Sequence, residues 1–77
     1  MEFSQKLADL RRREGLSQEQ LADRLGVTRQ SVSKWESGAA MPDIGKLISL
    51  SELFGVSVDY LLGETDVCAR YPAAKKP

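Results

Sequence analysis

SQEQLADRLGVTRQSVSKWESG, running from Ser17 to Gly38, reads as two short helices joined by a tight turn. Ser17 and Gln20 stand three apart, the spacing at which each side chain satisfies an orphan amide of the other at a helix start. Leu21, Ala22 and Leu25 follow at i, i+1 and i+4 and fall on one side of that helix. Gly26 ends it, because glycine takes the left-handed conformation without a Cβ clash. Thr28 is placed to cap the next helix through its hydroxyl. At ~100° per residue, Val32 and Trp35 share one face of this second helix, and Arg29, Gln30, Ser33, Lys34 and Ser37 spread over the opposite one. Periodicity alone favours an ordinary pair of amphipathic bundle helices, since polar outer faces are the rule. The composition of the polar face adds a second reading. Arginine is matched to guanine and glutamine to adenine at base edges, so the segment also reads as a helix-turn-helix that meets DNA.

The flanks supply further helices. Phe3, Leu7 and Leu10 recur at i, i+4 and i+7 and predict a first helix from Phe3 to Glu14, with Arg11 at the margin of its apolar stripe. Gly15 closes it and Leu16 turns back toward the core. After Gly38 the loop Ala39-Ala40-Met41-Pro42 leads to Asp43, a capping residue for a fourth helix. Ile44, Leu47, Ile48 and Phe54 are expected on its inward face, with Ser51 on the same side, where a hydroxyl needs a backbone partner or a place at the edge. Gly55 ends that helix. Ser57 and Asp59 open a short fifth helix expected to run through Leu62, and Gly63 ends it. No strand pattern competes, so the fold class is all-α. Residues 64–77, ETDVCARYPAAKKP, lose the periodicity and read as a linker or flexible tail after a domain of residues 1–63.

Seventy-seven residues allow one small core. The single cysteine, Cys68, rules out an intrachain disulfide or a cysteine-cluster zinc site. It reads as an incidental reduced thiol, with a redox-sensing thiol as the other reading. There is no histidine, hence no histidine-based triad or metal site. With no P-loop or dinucleotide glycine pattern either, no enzyme and no cofactor are expected. The amphipathic, charged N-terminus does not resemble an export signal and no apolar run is long enough for a membrane span. Eleven basic residues balance eleven acidic ones, where a DNA-binding protein usually carries a basic excess. Such neutrality predicts modest non-specific affinity for one copy, although DNA meets only one face.

Residues from about 3 to 63 resemble the phage Cro and repressor (Xre-type) family of DNA-binding domains. The likeness lies in Leu16-Ser17-Gln18, Leu21-Ala22, Leu25-Gly26-Val27, Val32-Ser33-Lys34-Trp35-Glu36, Gly38 and Pro42. It continues in Leu53-Phe54-Gly55-Val56-Ser57 and Asp59-Tyr60-Leu61-Leu62-Gly63. The resemblance implies a compact five-helix lambda-repressor-like domain with its helix-turn-helix at helices 2 and 3. It implies that Arg29, Gln30 and Lys34 occupy base-reading slots, with Ser33 as a smaller contributor. It implies that Gln18 clamps a phosphate at the start of helix 2, where free amides favour an anion. Ser37 and Lys46 are weaker phosphate candidates. Arg11 and Glu36 are implied to meet in a partly buried ion pair, which would steady the recognition helix and spare one guanidinium edge for a phosphate. Trp35, on the Val32 side, is expected to pack in the core. The sequence departs from the family at Ala39-Ala40-Met41, where a lysine or arginine often stands.

These observations lead to a cytoplasmic, nucleoid-associated transcriptional regulator of a bacterium or phage, a repressor by expectation. It would read an inverted repeat in double-stranded DNA through the major groove, as a homodimer whose apolar patch involves Val58 and Leu62 of helix 5. Two alternatives remain at this stage. One is the antitoxin of a toxin–antitoxin pair. The other is a protein-interaction module that kept the fold without DNA binding. Family members often continue into an effector-sensing or oligomerisation domain, so an effector domain or a toxin is a further expected partner. The chain reads equally as a fragment or as a complete small regulator.

Overall fold

Four of the five helices start where a side chain supplies an oxygen to their open amides; the first, after Glu2, has no such cap. Ser17, Thr28, Asp43 and Ser57 accept hydrogen bonds from the backbone of the residue three positions on. At Ser17 the arrangement is reciprocal: Gln20 N–H donates to Ser17 Oγ at 3.0 Å, and Ser17 N–H donates to Gln20 Oε1 at 2.8 Å. The computed structural model describes residues 2–63. In chain order it comprises α1 (Phe3–Arg13), α2 (Gln18–Leu25), α3 (Arg29–Ser37), α4 (Ile44–Phe54) and α5 (Val58–Leu61). Among these residues there is no strand. None of these helices is long and apolar enough to cross a membrane. The expected tail of residues 64–77, with Cys68, lies outside the described residues.

The first and last helices are each a residue shorter than the periodicity predicts. Glu14 and Leu62 are the closing caps of α1 and α5, not their last turns. The turn between α2 and α3 is set at Gly26, whose φ of 71° is left-handed, a conformation costly for any residue with a Cβ. Its neighbour Val27 then donates from its amide to the Ala22 carbonyl at 3.0 Å, closing the end of α2 before α3 begins.

One core holds the five helices together. Phe3, Leu7 and Leu10 of α1 meet Leu21 and Ala22 of α2, Val32 and Trp35 of α3, Leu47, Leu50 and Phe54 of α4, Val56, and Leu61 of α5. The expected stripes of the first three helices are therefore the buried ones. Trp35 packs within this core, between helices, as its face predicts.

The fourth helix departs from the expectation. Ile44 and Ile48 do not face inward; they are 66% and 41% exposed, and Leu50 is buried in their stead. The reason is angular. Leu50, Phe54, Leu47 and Ser51 span an arc of ~100° that contacts the core, and Ile48 lies roughly as far again from the middle of that arc. Ile44 is nearer but sits in the first turn, beyond the elements that cover the helix. Ser51 is fully buried, and its hydroxyl donates to the Ile48 carbonyl at 2.8 Å, so no polar group is stranded.

A second feature has no counterpart in the sequence reading. Lys6 is only 4% exposed, and its Nζ sits 4.1 Å from the centre of the Tyr60 ring. Its aliphatic stem lies along the interior and its ammonium over an aromatic face, which joins α1 to α5.

Candidate nucleic-acid interface

The second helix of the turn presents two unlike sides. Val32 and Trp35 anchor it, while Arg29, Gln30, Lys34 and Ser37 are exposed and Ser33 is half-buried. The expected base-reading residues thus share one accessible side of α3, Arg29 and Gln30 in its first turn. Thr28 fixes that turn: its Oγ1 accepts from the Ser31 amide at 3.1 Å and stands 3.1 Å from the Ser31 hydroxyl.

Behind this face runs a chain of side-chain hydrogen bonds through three helices. Arg11 of α1 donates from Nε to Glu36 Oε2 at 2.7 Å and from NH2 to Glu36 Oε1 at 3.1 Å, a forked pairing. Its NH1 donates to the Leu16 carbonyl at 2.8 Å. The two side chains are 12% and 8% exposed, so the pair is largely withdrawn from water. Hydrogen bonding to Glu36 raises the Arg11 pKa above its ordinary value; burial pulls the other way, and charge attraction adds to the rise. The ion pair expected between helices 1 and 3 is present in the structure. Of the five guanidinium N–H groups, three are committed to partners among the described residues and two are not.

The chain continues outward through Gln18. Its Nε2 donates to Glu36 Oε1 at 3.0 Å, and its Oε1 accepts from Arg29 NH1 at 3.3 Å. Glu36 therefore decides which way the Gln18 amide points, and the amide in turn holds the first residue of α3. No sequence motif announces this contact, because Gln18 and Arg29 come together only once α2 and α3 have packed. Gln18 was expected to act on the DNA backbone alone; the geometry joins it to a base-reading candidate as well.

The remaining phosphate candidates differ in readiness. The capping box uses the amides of Ser17 and Gln20. It leaves those of Gln18 and Glu19, in the first turn of α2, without intrahelical partners. Ser37 donates its only hydroxyl proton to the Lys34 carbonyl at 3.1 Å, so it has an acceptor and no donor to offer an anion. Lys46 is half-buried in the first turn of α4, where its amide donates to Asp43 Oδ1 at 2.9 Å. In the loop between, Ala39 and Met41 are exposed and carry no charge.

Comparison with known proteins places this arrangement. A helix-turn-helix family model matches residues 7–61. The transcriptional activator BcrR of Enterococcus faecalis is 48% identical over 62 residues, covering 80% of this chain and 30% of its own length. The prophage-derived transcriptional regulator YonR of Bacillus subtilis is 46% identical over 63 residues, covering 82% of this chain and 58% of its own. The chain thus spans less than two thirds of either relative. Among solved structures, the P22 c2 repressor in complex with a synthetic operator superposes with a TM-score of 0.79 at 26% identity. The match covers 84% of this chain and 98% of that one. The chain belongs to the Cro/C1-type helix-turn-helix family.

Proposed function

We propose that this chain is the sequence-specific DNA-binding module of a transcriptional regulator, a repressor in the first instance, which pairs on an inverted-repeat operator. The observation that carries the reading is the two-sidedness of α3. Trp35 and Val32 fasten it to the core, and Arg29, Gln30 and Lys34 are left accessible on its other side. Those are the side chains that hydrogen-bond base edges in a major groove. The regulators among its relatives and the operator-bound neighbour support the same reading.

In this reading Arg29 forks onto guanine O6 and N7, Gln30 pairs with adenine N6 and N7, and Lys34 reaches a guanine or a phosphate, with Ser33 at the margin. Gln18 and the open amides at the start of α2 take a phosphate, and Lys46 adds a charge. Ser37 contributes only as an acceptor, hence little to phosphate binding. Arg11 contributes through its two uncommitted N–H groups.

Selection of bound duplexes from a random DNA pool tests the proposal. Enrichment of one motif, present as two inverted half-sites about 34 Å apart, is the expected result. No enrichment at low salt would sink the DNA reading and leave the fold as a protein-interaction module.

A further inference from the structure

We propose that Thr28 reads the 5-methyl group of a pyrimidine next to the base pair that Arg29 meets. The inference rests on the proposed DNA reading and adds to it a residue outside the polar face of α3. Thr28 is exposed and immediately precedes Arg29, the first residue of α3. Its hydroxyl is turned back on the helix: Oγ1 accepts from the Ser31 amide at 3.1 Å and stands 3.1 Å from the Ser31 hydroxyl. Oxygen and methyl share one Cβ, so fixing the first also fixes the direction of the second. With its oxygen engaged on the helix, what Thr28 offers a partner is the methyl group.

The other side-chain caps among the described residues are Ser17, Asp43 and Ser57, none of which carries a methyl group. Serine and aspartate cap at least as well as threonine, so capping alone gives no reason for the methyl at position 28. A major groove does. The 5-methyl of thymine is the apolar mark on its floor, and a threonine methyl is one of the groups that meets it. 5-Methylcytosine carries its methyl at the same ring position. The register agrees as well. Consecutive Cα atoms lie about 3.8 Å apart and stacked bases about 3.4 Å, so the neighbour of Arg29 falls within about one base step of it. Arg29 is itself tied to Gln18 at 3.3 Å, which holds the two side chains at one offset. A contact between methyl groups carries no charge, so it acts on base preference and not on the salt dependence of binding.

The experiment uses the full chain and the half-site obtained by selection. Each thymine in it is replaced in turn by deoxyuridine, which removes the methyl and nothing else. At one position, within a step of the base pair whose preference Arg29→Ala relaxes, the parent should lose about fourfold in affinity, the worth of one buried methyl-sized group. Thr28→Ser keeps the capping oxygen and should bind the thymine and deoxyuridine duplexes alike at that position, with its fold in place. Cytosine and 5-methylcytosine at the same position separate the two sources of the methyl. A preference for the methylated base that Thr28→Ser loses extends the reading to modified DNA, and equal binding confines it to thymine. A parent that nowhere distinguishes thymine from deoxyuridine would overturn the proposal and leave the DNA reading standing. So would a Thr28→Ser variant that keeps the full distinction. A parent that selects no duplex would take down both.

Discussion

Helices α3 and α4 begin and end alike: each opens on a side-chain oxygen, of Thr28 or Asp43, and each closes on a left-handed glycine, Gly38 or Gly55. Their exposed faces differ, although α4 also exposes the polar Ser49 and Glu52. The outer side of α3 carries Arg29, Gln30 and Lys34; that of α4 carries Ile44 and Ile48. In α3 the apolar stripe is as narrow as its contact with the core, so everything outside it is free to be polar. In α4 the apolar arc is wider than the core can cover. An apolar position therefore indicates that a surface is wanted dry, not which partner keeps it dry.

The contrast is broken most strongly from the inside. Trp35→Ala empties a core position and should cost ~3–5 kcal/mol, a large part of the stability of so small a domain. Urea unfolding measures it, and a loss below about 1 kcal/mol would mean that α3 is not fastened by this side chain.

Next comes the polar chain behind α3. Arg11→Ala and Glu36→Ala should each destabilise by about 3 kcal/mol, because each strands a mostly buried charge. Arg11→Met combined with Glu36→Leu should recover much of the loss. A thermal double-mutant cycle is the measurement, and strict additivity would show that the two do not interact.

On the outer side of α3, Arg29→Ala and Gln30→Ala should each cost ~1–3 kcal/mol of binding at one base position and leave the melting curve in place. Gln18→Ala should reproduce part of the Arg29 effect at the same base, in addition to a uniform loss over all sequences. A purely uniform loss would confine Gln18 to the phosphates.

The corresponding change on α4 should do almost nothing to the fold. Ile44→Gln and Ile48→Gln should each shift stability by less than about 0.5 kcal/mol, unlike a buried isoleucine. A loss of 2 kcal/mol in urea unfolding would put these side chains in a core.

Smallest of all is the effect of pH. Arg11 has a raised folded-state pKa, so its contribution is complete below the unfolded-state value and is lost only as pH rises through the still higher folded one. Between about pH 6 and pH 9 it adds no slope. The parent and the Arg11→Met, Glu36→Leu variant should therefore follow parallel melting curves there, and diverging ones would contradict this.

Much of the fold was legible because it is written locally. Ser17 with Gln20, Thr28, Asp43, Ser57 and the glycines Gly26, Gly38 and Gly55 act within four residues of themselves, and each of these caps stands where the sequence placed it. The stripes of α1 to α3 were legible for a similar reason, since a helical period names a face. What failed was whatever depends on a distant neighbour. By period Ile48 lies at about 100° from the middle of the buried arc of α4, whereas Ile44 lies close enough to it that only the reach of the other helices shows it uncovered. Lys6 looks like a surface residue until Tyr60, fifty-four positions on, lies under its ammonium. At the interface, the placement of Arg29, Gln30 and Lys34 followed from periodicity. The Arg11–Glu36 pair followed from the family likeness. The contact of Gln18 with Arg29 followed from neither.

The hydrogen-bonded chain from Arg11 through Glu36 and Gln18 to Arg29 has an inner end and an outer one. Removing an inner member leaves a charge with no water to turn to. Removing Arg29 costs one 3.3 Å bond at the surface, and the Gln18 carbonyl it leaves can be solvated. On the proposed reading the molecule works as a tool holder with an interchangeable bit: the residue at position 29 can be exchanged to suit a different base while the grip on α3 stays intact. On that reading a change of target sequence need not pass through an unstable intermediate.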